Sequence, residues 1–314
     1  MSALPEARAS RLGEATVSLR DRITNGSLGG YVLLMPTVIV ILLVTIWPLI
    51  FNLAISLTNF RGGASKEVNF VGLENYIKMI SDPLFTGSII TTVSLVVIAV
   101  PLQLVFAYLA ARILTRTHEM VGTRILRTLF ILPTMMTSLA VALFWRYILD
   151  AQIGVANFLL KTLGLPTSKF LSEPTSAFFS VVFMYLWQWI PFAAMLLMAG
   201  LLGIPRALYE AASIDGANWW HRIRYIDIPQ LRRVIAIAGI LALVEVIRLF
   251  DLIYGSTNGG PGTATLTVSV QIYREAFQNF NTGYAAAASL LVLVVTILVS
   301  QLFVRATKDD EVKS

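Results

Sequence analysis

The sequence predicts an all-α integral membrane protein with six transmembrane helices, and three observations carry that fold class. The chain is 56% hydrophobic and only 13% charged over 314 residues, whereas soluble domains carry about 25% charged residues. Its apolar residues fall into six runs, each near the length of about 20 residues that crosses a bilayer core. Its Lys and Arg collect on alternate connections, about 16 on one side of the predicted spans against about 7 on the other, a bias that sets orientation.

In chain order, residues 1–29 form a polar cytoplasmic segment with Arg8, Arg11, Arg20 and Arg22, in which Leu12, Val17, Leu19 and Ile23 sketch a short interfacial helix. Residues 30–304 form the expected six-helix domain. Its spans are 30–57 (containing Pro36 and Pro48), 88–114 (Pro101 and Gln103), 128–149 (Pro133), 178–203, 234–254 and 284–304. Proline is tolerated inside a span where neighbouring groups satisfy the freed backbone. The polar excursion over 58–87 has room for an amphipathic helix on the outer surface. Outer loops follow at 151–177 and, rich in glycine, at 255–283. The connections at 115–127 and 204–233 and the tail at 305–314 carry the inner positive charge, so both termini are expected in the cytoplasm. The first apolar run is long and lacks a small-residue cleavage site, so no cleaved leader is expected.

Several classes are disfavoured at once. There is no cysteine, and the two histidines, His118 and His221, are far apart, so disulfides and a metal centre are not expected. No phosphate loop, nucleophile elbow or zinc-protease motif is present, so the chain is not expected to hydrolyse ATP or act as an enzyme by itself. The net charge of +6 is dispersed between apolar segments. It is better read as a topology signal in contact with lipid than as a nucleic-acid surface.

The most informative stretch is the polar island EAASIDGANWWHRIRYIDIP, from Glu210 to Pro229. Pro205 suits a helix start, Gly216 a left-handed helix end, and Asn218 an N-cap for a second short helix. The result is a helix–turn–helix bearing Trp219, Trp220 and the cations Arg222, Arg224, Arg232 and Arg233. Composition alone is equally consistent with an ordinary loop.

The spacing of Glu210-Ala211-Ala212, Gly216 and Ile226-x-Ile228-Pro229 resembles the EAA loop of bacterial ABC-importer permeases, and the fuller EAAxxDGA form resembles their carbohydrate-uptake branch. The FVGLENY…DPLF segment and the GGP turn at Gly259-Gly260-Pro261 are similar to that family in the same order. The resemblance implies a type I ABC importer permease fold in a bacterial inner membrane. It also implies four kinds of partner: a second homologous permease, two ATPase subunits, an extracytoplasmic solute-binding protein and a sugar-like substrate. ATP and Mg would bind the partner ATPase, leaving no cofactor on this chain. Glu210, Ala211, Ala212, Asp215 and Gly216 would hold the loop that docks on the ATPase.

Polar groups inside spans mark a path, since charge at mid-helix costs roughly 2.5–3.5 kcal/mol. Glu245 and Arg248, three apart on one helical face, either face a water-filled substrate path or make structural ion pairs between helices or with a partner subunit, while Asp251 lies nearer the outer interface. Tyr185, Gln188, Trp189 and Phe192 make one helical stripe, suited to sugar C–H faces and hydroxyls or to plain packing. In maltose-type relatives this stripe falls at substrate-contact positions. The equivalent count on the fifth span gives Ala242, Val246 and Leu249, all apolar. Two other classes stay open on the residues alone. One is an ion-coupled secondary transporter using Glu245 and Arg248, and the other is a membrane scaffold or sensor.

Overall fold

A computed structural model describes residues 27–62, 68–116 and 122–308. The expected interfacial helix near Leu12–Ile23, His118 and the end of the tail lie outside the described residues. The chain divides after Ile55 into two units.

In the first unit, α1 (Ser27–Ile41) runs through a π turn at Leu42–Ile46 into α2 (Trp47–Ser56). The Trp47 amide donates to the Leu42 carbonyl, five residues back. This wider turn falls just before Pro48, where an ordinary turn would lose a donor. Residues Leu34–Ser56 have a mean hydropathy of 2.7, apolar enough to span.

The second unit opens with an isolated bridge between Thr58 and Phe70 and the expected amphipathic helix, α3 (Glu74–Ser81). The Asn75 amide ties this excursion down by donating to the carbonyls of Ser56 and Thr58, both at 2.8 Å. Helix α4 (Pro83–Arg116) has 34 residues, about 51 Å at the usual rise, and therefore projects beyond a bilayer core of about 30 Å. It is followed by α5 (Thr123–Met135), α6 (Ser138–Ile148) and α7 (Val155–Thr162). Then come α8 (Pro174–Leu202), α9 (Arg206–Ile214), α10 (Trp219–Arg222) and α11 (Ile228–Ile247). The chain ends with α12 (Asp251–Ser256), α13 (Val268–Tyr273) and α14 (Thr282–Lys308).

Helices α4 and α8 form the spine of this unit. At one end they close on alanines, with Ala107, Ala111, Ala193 and Ala194 buried beside Leu197 and Leu231. Small residues let helices approach where lipid supplies no hydrophobic drive. Further along, Leu95, Val181, Met184, Tyr185, Val246 and Leu252 form the main core.

Two predicted spans are broken. The sequence predicts one helix over 128–149, but α5 and α6 meet at 99°. Met136 is extended, and the Thr137 hydroxyl caps α6 by accepting from the Ala140 amide. The bent α6 packs on α12, where a Cβ on Gly255 would sit 2.8 Å from Leu139 Cδ1 and 2.9 Å from Ala142 Cβ. The sequence also predicts one helix over 234–254, but α11 stops at Ile247. The Ser269 hydroxyl donates to the Ile247 carbonyl at 3.0 Å, and Thr267 to the Leu249 carbonyl at 3.1 Å. Side chains thus satisfy carbonyls that a helix end leaves open.

Among the described residues, four helices are long and apolar enough to cross a membrane, or five if the bent pair is one span. Helix α11 falls outside that set because its 20 residues carry Arg232, Arg233 and Glu245. The all-helical class therefore stands, while the count of six is not reached on length and composition.

Candidate functional site

Two regions contain the residues singled out by the sequence. The first is the Glu210–Pro229 segment. Pro205 stands at the N-cap, one residue ahead of α9. At the other end, the Ala217 amide donates to the Ala212 carbonyl at 2.8 Å and the Gly216 amide to the Ser213 carbonyl at 3.2 Å. This paired closure needs a left-handed residue between them, and Gly216 supplies it at φ +71°. A Cβ there would meet nothing within 4 Å, so the demand is conformational, not steric. Asn218 then caps α10, its side-chain oxygen accepting from the His221 amide at 2.9 Å. Arg222 pins the two helices together, donating to the Ser213 hydroxyl at 3.1 Å and the Ala217 carbonyl at 3.3 Å.

Glu210, Ala211, Asp215 and Gly216 are exposed and Ala212 is half-buried. Beside them Ile214 is 87% exposed, and Trp219, Trp220 and Tyr225 also stand in the open. A cleft of about 290 Å³ runs along Ala212, Asp215, Gly216, His221 and Tyr225. Exposed apolar side chains on a polar segment are a feature that docking surfaces share.

Helix α10 does not end before the next span, as the sequence had implied. It passes through a π turn, Ile223–Asp227, directly into α11. The Ile228 amide reaches back to the Ile223 carbonyl, and the wide turn accommodates Pro229, which has no amide to donate.

The second region lies along α8 and α11. Tyr185 is buried, and its hydroxyl donates to Gln103 Oε1 at 2.7 Å and toward the Ala242 carbonyl at 3.4 Å. Gln103 in turn donates to the Trp189 carbonyl at 3.2 Å. Gln188 is 1% exposed and donates through Nε2 to the Met136 carbonyl at 3.1 Å. Its Oε1 and the Trp189 Nε1 are buried with no partner among the described residues.

Trp189 and Phe192 meet edge to face at 6.1 Å. With Gln103, Ala242 and Glu245 they line a crevice of about 20 Å³, roughly the room one water needs. The predicted stripe is thus divided: Tyr185 and Gln188 are held in the core, while Trp189 and Phe192 share a crevice with Glu245. Val246 and Leu249 are core residues as well. Arg248 is exposed and caps α11, its amide donating to the Val244 carbonyl. A cation there complements the helix dipole. Glu245 and Arg248 close no ion pair among the described residues.

Sequence reasoning passed over two groups. In sequence Gln103 is a single polar residue within a span, yet it joins α4 to both α8 and the crevice. Asp227 falls in the polar island of Glu210–Pro229, yet it is fully buried. It accepts hydrogen bonds from Tyr108 and, at 2.7 Å, from Tyr209, and it pairs with Arg112. Burial pushes the Tyr209 hydroxyl above its ordinary range against the opposing pull of Arg112, which keeps it a donor. The available signal was the i, i+4 pair Tyr108 and Arg112 on one face of α4, facing an acidic residue inside an apolar Ile-x-Ile-Pro context.

Residues 103–307 match the family described as binding-protein-dependent transport system inner membrane component. The chain is 34% identical over 272 residues to the trehalose/maltose transport system permease protein MalF of Thermococcus litoralis, covering 86% of this chain and 90% of that protein. It is 30% identical to the sulfoquinovosyl glycerol transport system permease protein SmoG of Agrobacterium fabrum, covering 88% and 90%. In fold it is similar to a chain of a bacterial alginate ABC transporter, solved in complex with an alginate pentasaccharide-bound periplasmic protein. The TM-score is 0.78 at 22% identity, over 89% of this chain and 93% of that one.

Proposed function

The chain belongs to the family of inner membrane components of binding-protein-dependent transport systems, and from that premise we propose that it is one of two homologous permease subunits of an ATP-driven carbohydrate importer. One structural observation carries the reading. From Trp219 to Ile247 the helix is continuous through its π turn, roughly 43 Å at the usual rise. Trp219 and Trp220 at the docking face and the helix that bears Glu245 are therefore one mechanical piece, to which Arg222 pins the Glu210–Gly216 segment. Two ATPase subunits would hold ATP and Mg, with no cofactor on this chain. Closure of the ATPases would push on the Glu210–Gly216 segment and swing α11 as a rigid lever.

In this reading Glu210, Ala211, Ala212, Asp215 and Gly216 hold the docking geometry. Trp189, Phe192, Glu245 and Arg248 face the solute, while Tyr185 and Gln188 keep the walls of the path in place. Relatives named for trehalose/maltose and sulfoquinovosyl glycerol transport support a glycoside as cargo. Both termini and the docking segment lie in the cytoplasm of a bacterial cell, and a solute-binding protein delivers cargo from outside.

The test is gentle purification of the tagged chain from its host, followed by mass spectrometry of its companions and uptake assays in proteoliposomes. An ATPase and a second, different permease should accompany it, and uptake should require ATP and a binding protein. Glu210→Lys should abolish uptake while the chain stays in the membrane. A solitary chain that drives uptake from an ion gradient would overturn the reading.

A further inference from the structure

We propose that Tyr108, Arg112 and Tyr209 form, around the buried carboxylate of Asp227, a polar latch that locks the docking segment to α4, giving the motion of that segment a second route into the membrane. The inference rests on the importer reading above and adds to it a set of positioning residues.

The geometry divides one carboxylate among three elements. Asp227 Oδ1 accepts from Tyr209 of α9. Oδ2 accepts from Tyr108 of α4 and pairs with Arg112 of the same helix. Arg112 also donates to the Tyr108 hydroxyl at 2.7 Å. Asp227 itself is the last residue of the π turn, the one irregular point between the docking segment and α11. Both halves of the helix–turn–helix are thereby fixed to α4 at a single buried point.

Stability alone is a poor explanation for such a cluster. Buried ion pairs are often no more stabilising than well-packed apolar residues of the same volume, whereas removing one partner is costly. What the cluster adds is direction: a hydrogen-bonded charge fixes one relative placement, where apolar packing tolerates sliding. The placement has a target, because Arg112 and Gln103 lie nine residues apart on α4, about 14 Å along the helix. Gln103 holds Tyr185 and the Trp189 carbonyl at the crevice. A push on α9 can therefore reach the crevice from below along α4 as well as along α11. A cleft of about 230 Å³ beside the latch, lined by Arg112, Thr115, Arg116, Tyr209, Arg222 and Asp227, leaves the cluster room to rearrange if a bond is lost.

The chain has no cysteine, so its own spin labels are confined to Ala207→Cys on α9 and Ile113→Cys on α4, both exposed, with the cysteine-bearing parent complex lacking both changes as the background control. The complex purified with its companion subunits is measured by pulsed electron resonance, nucleotide-free and with ATP and Mg. In parallel, ATP hydrolysis per complex is measured without binding protein. In the parent protein the distance should be narrow and unchanged by nucleotide. Asp227→Asn and Tyr209→Phe should each broaden it and raise unstimulated hydrolysis about fivefold, as loss of a typical coupling energy would, and Asp227→Glu should restore part of both. A residue needed only for folding would lower yield without raising hydrolysis per complex. Tyr209→Phe removes a single hydroxyl and keeps the test open if Asp227→Asn is not recovered. Parental width and parental hydrolysis in Tyr209→Phe would overturn the latch while leaving the importer reading intact. If no ATPase accompanies the chain, the importer reading falls, and parental width in the isolated variants then removes the latch too.

Discussion

Gln188 and Met136 are joined across the break between two helices: the buried amide of α8 donates to the Met136 carbonyl at 3.1 Å, where the chain turns through 99°. That carbonyl has left α5 and has no place in α6, and inside a bilayer no water would satisfy it. A side chain that the sequence offers for reading a solute hydroxyl is in this structure the clasp of a bent span.

Gln188→Leu should therefore destabilise the chain by about 1–3 kcal/mol, the penalty of a buried acceptor left without a donor. Thermal unfolding in detergent, followed by light scattering, should show a lower midpoint. A variant with parental stability and weakened solute affinity would instead return Gln188 to the path.

Gly216 tests a purely conformational demand. At φ +71° with no neighbour in reach of a Cβ, substitution should cost about 1–2 kcal/mol for an ordinary L-residue. Asn should be tolerated better than Ala, and Ala better than Val. Uptake rates should follow that order, since bulk is not the issue; a ranking by side-chain volume would point to an unseen steric contact.

Gly255 tests the opposite case. Its φ is ordinary, but a Cβ would press on Leu139 and Ala142 within 3 Å. Gly255→Ala should destabilise by about 1–3 kcal/mol through overpacking. Adding Leu139→Ala should recover part of that loss, which a double-mutant cycle on melting temperatures will read.

Among the described residues, Glu245 is the one charged group lining the crevice. Glu245→Gln keeps its shape and removes its charge, and should raise the KM for uptake about tenfold, the worth of one charge-assisted hydrogen bond, with little change in melting temperature. Unchanged KM with a lower midpoint would make it a structural residue.

The signals that are local in sequence read correctly. Gly216 and Asn218 act on backbone groups within four residues, so their roles could be inferred from spacing alone. The amphipathic α3 and the long apolar α4, α8 and α14 were legible for the same reason. What failed to show was set by partners far along the chain. Nothing in Met136-Thr137 marks a break without Gln188, and nothing in Arg248-Leu249-Phe250 does so without Thr267 and Ser269. The division of the stripe from Tyr185 to Phe192 depends on Gln103, more than 80 positions away in the chain. The burial of Asp227 is not legible because its three partners come from two other helices.

The π turn at Ile223–Asp227 has a consequence for the phase of the helix that contains it. A π turn takes up one extra residue, so everything beyond it lags the regular count by about 100° about the axis. Trp219 and Trp220 therefore bear a different angular relation to Glu245 than a regular count of residues gives. Deleting one exposed residue from the regular part of the helix instead, such as Ile237, would leave a helix of nearly the same length whose two ends are rotated against each other by about 100°. The protein's inner and outer chemistry would both survive intact in such a chain, each facing the wrong way for the other.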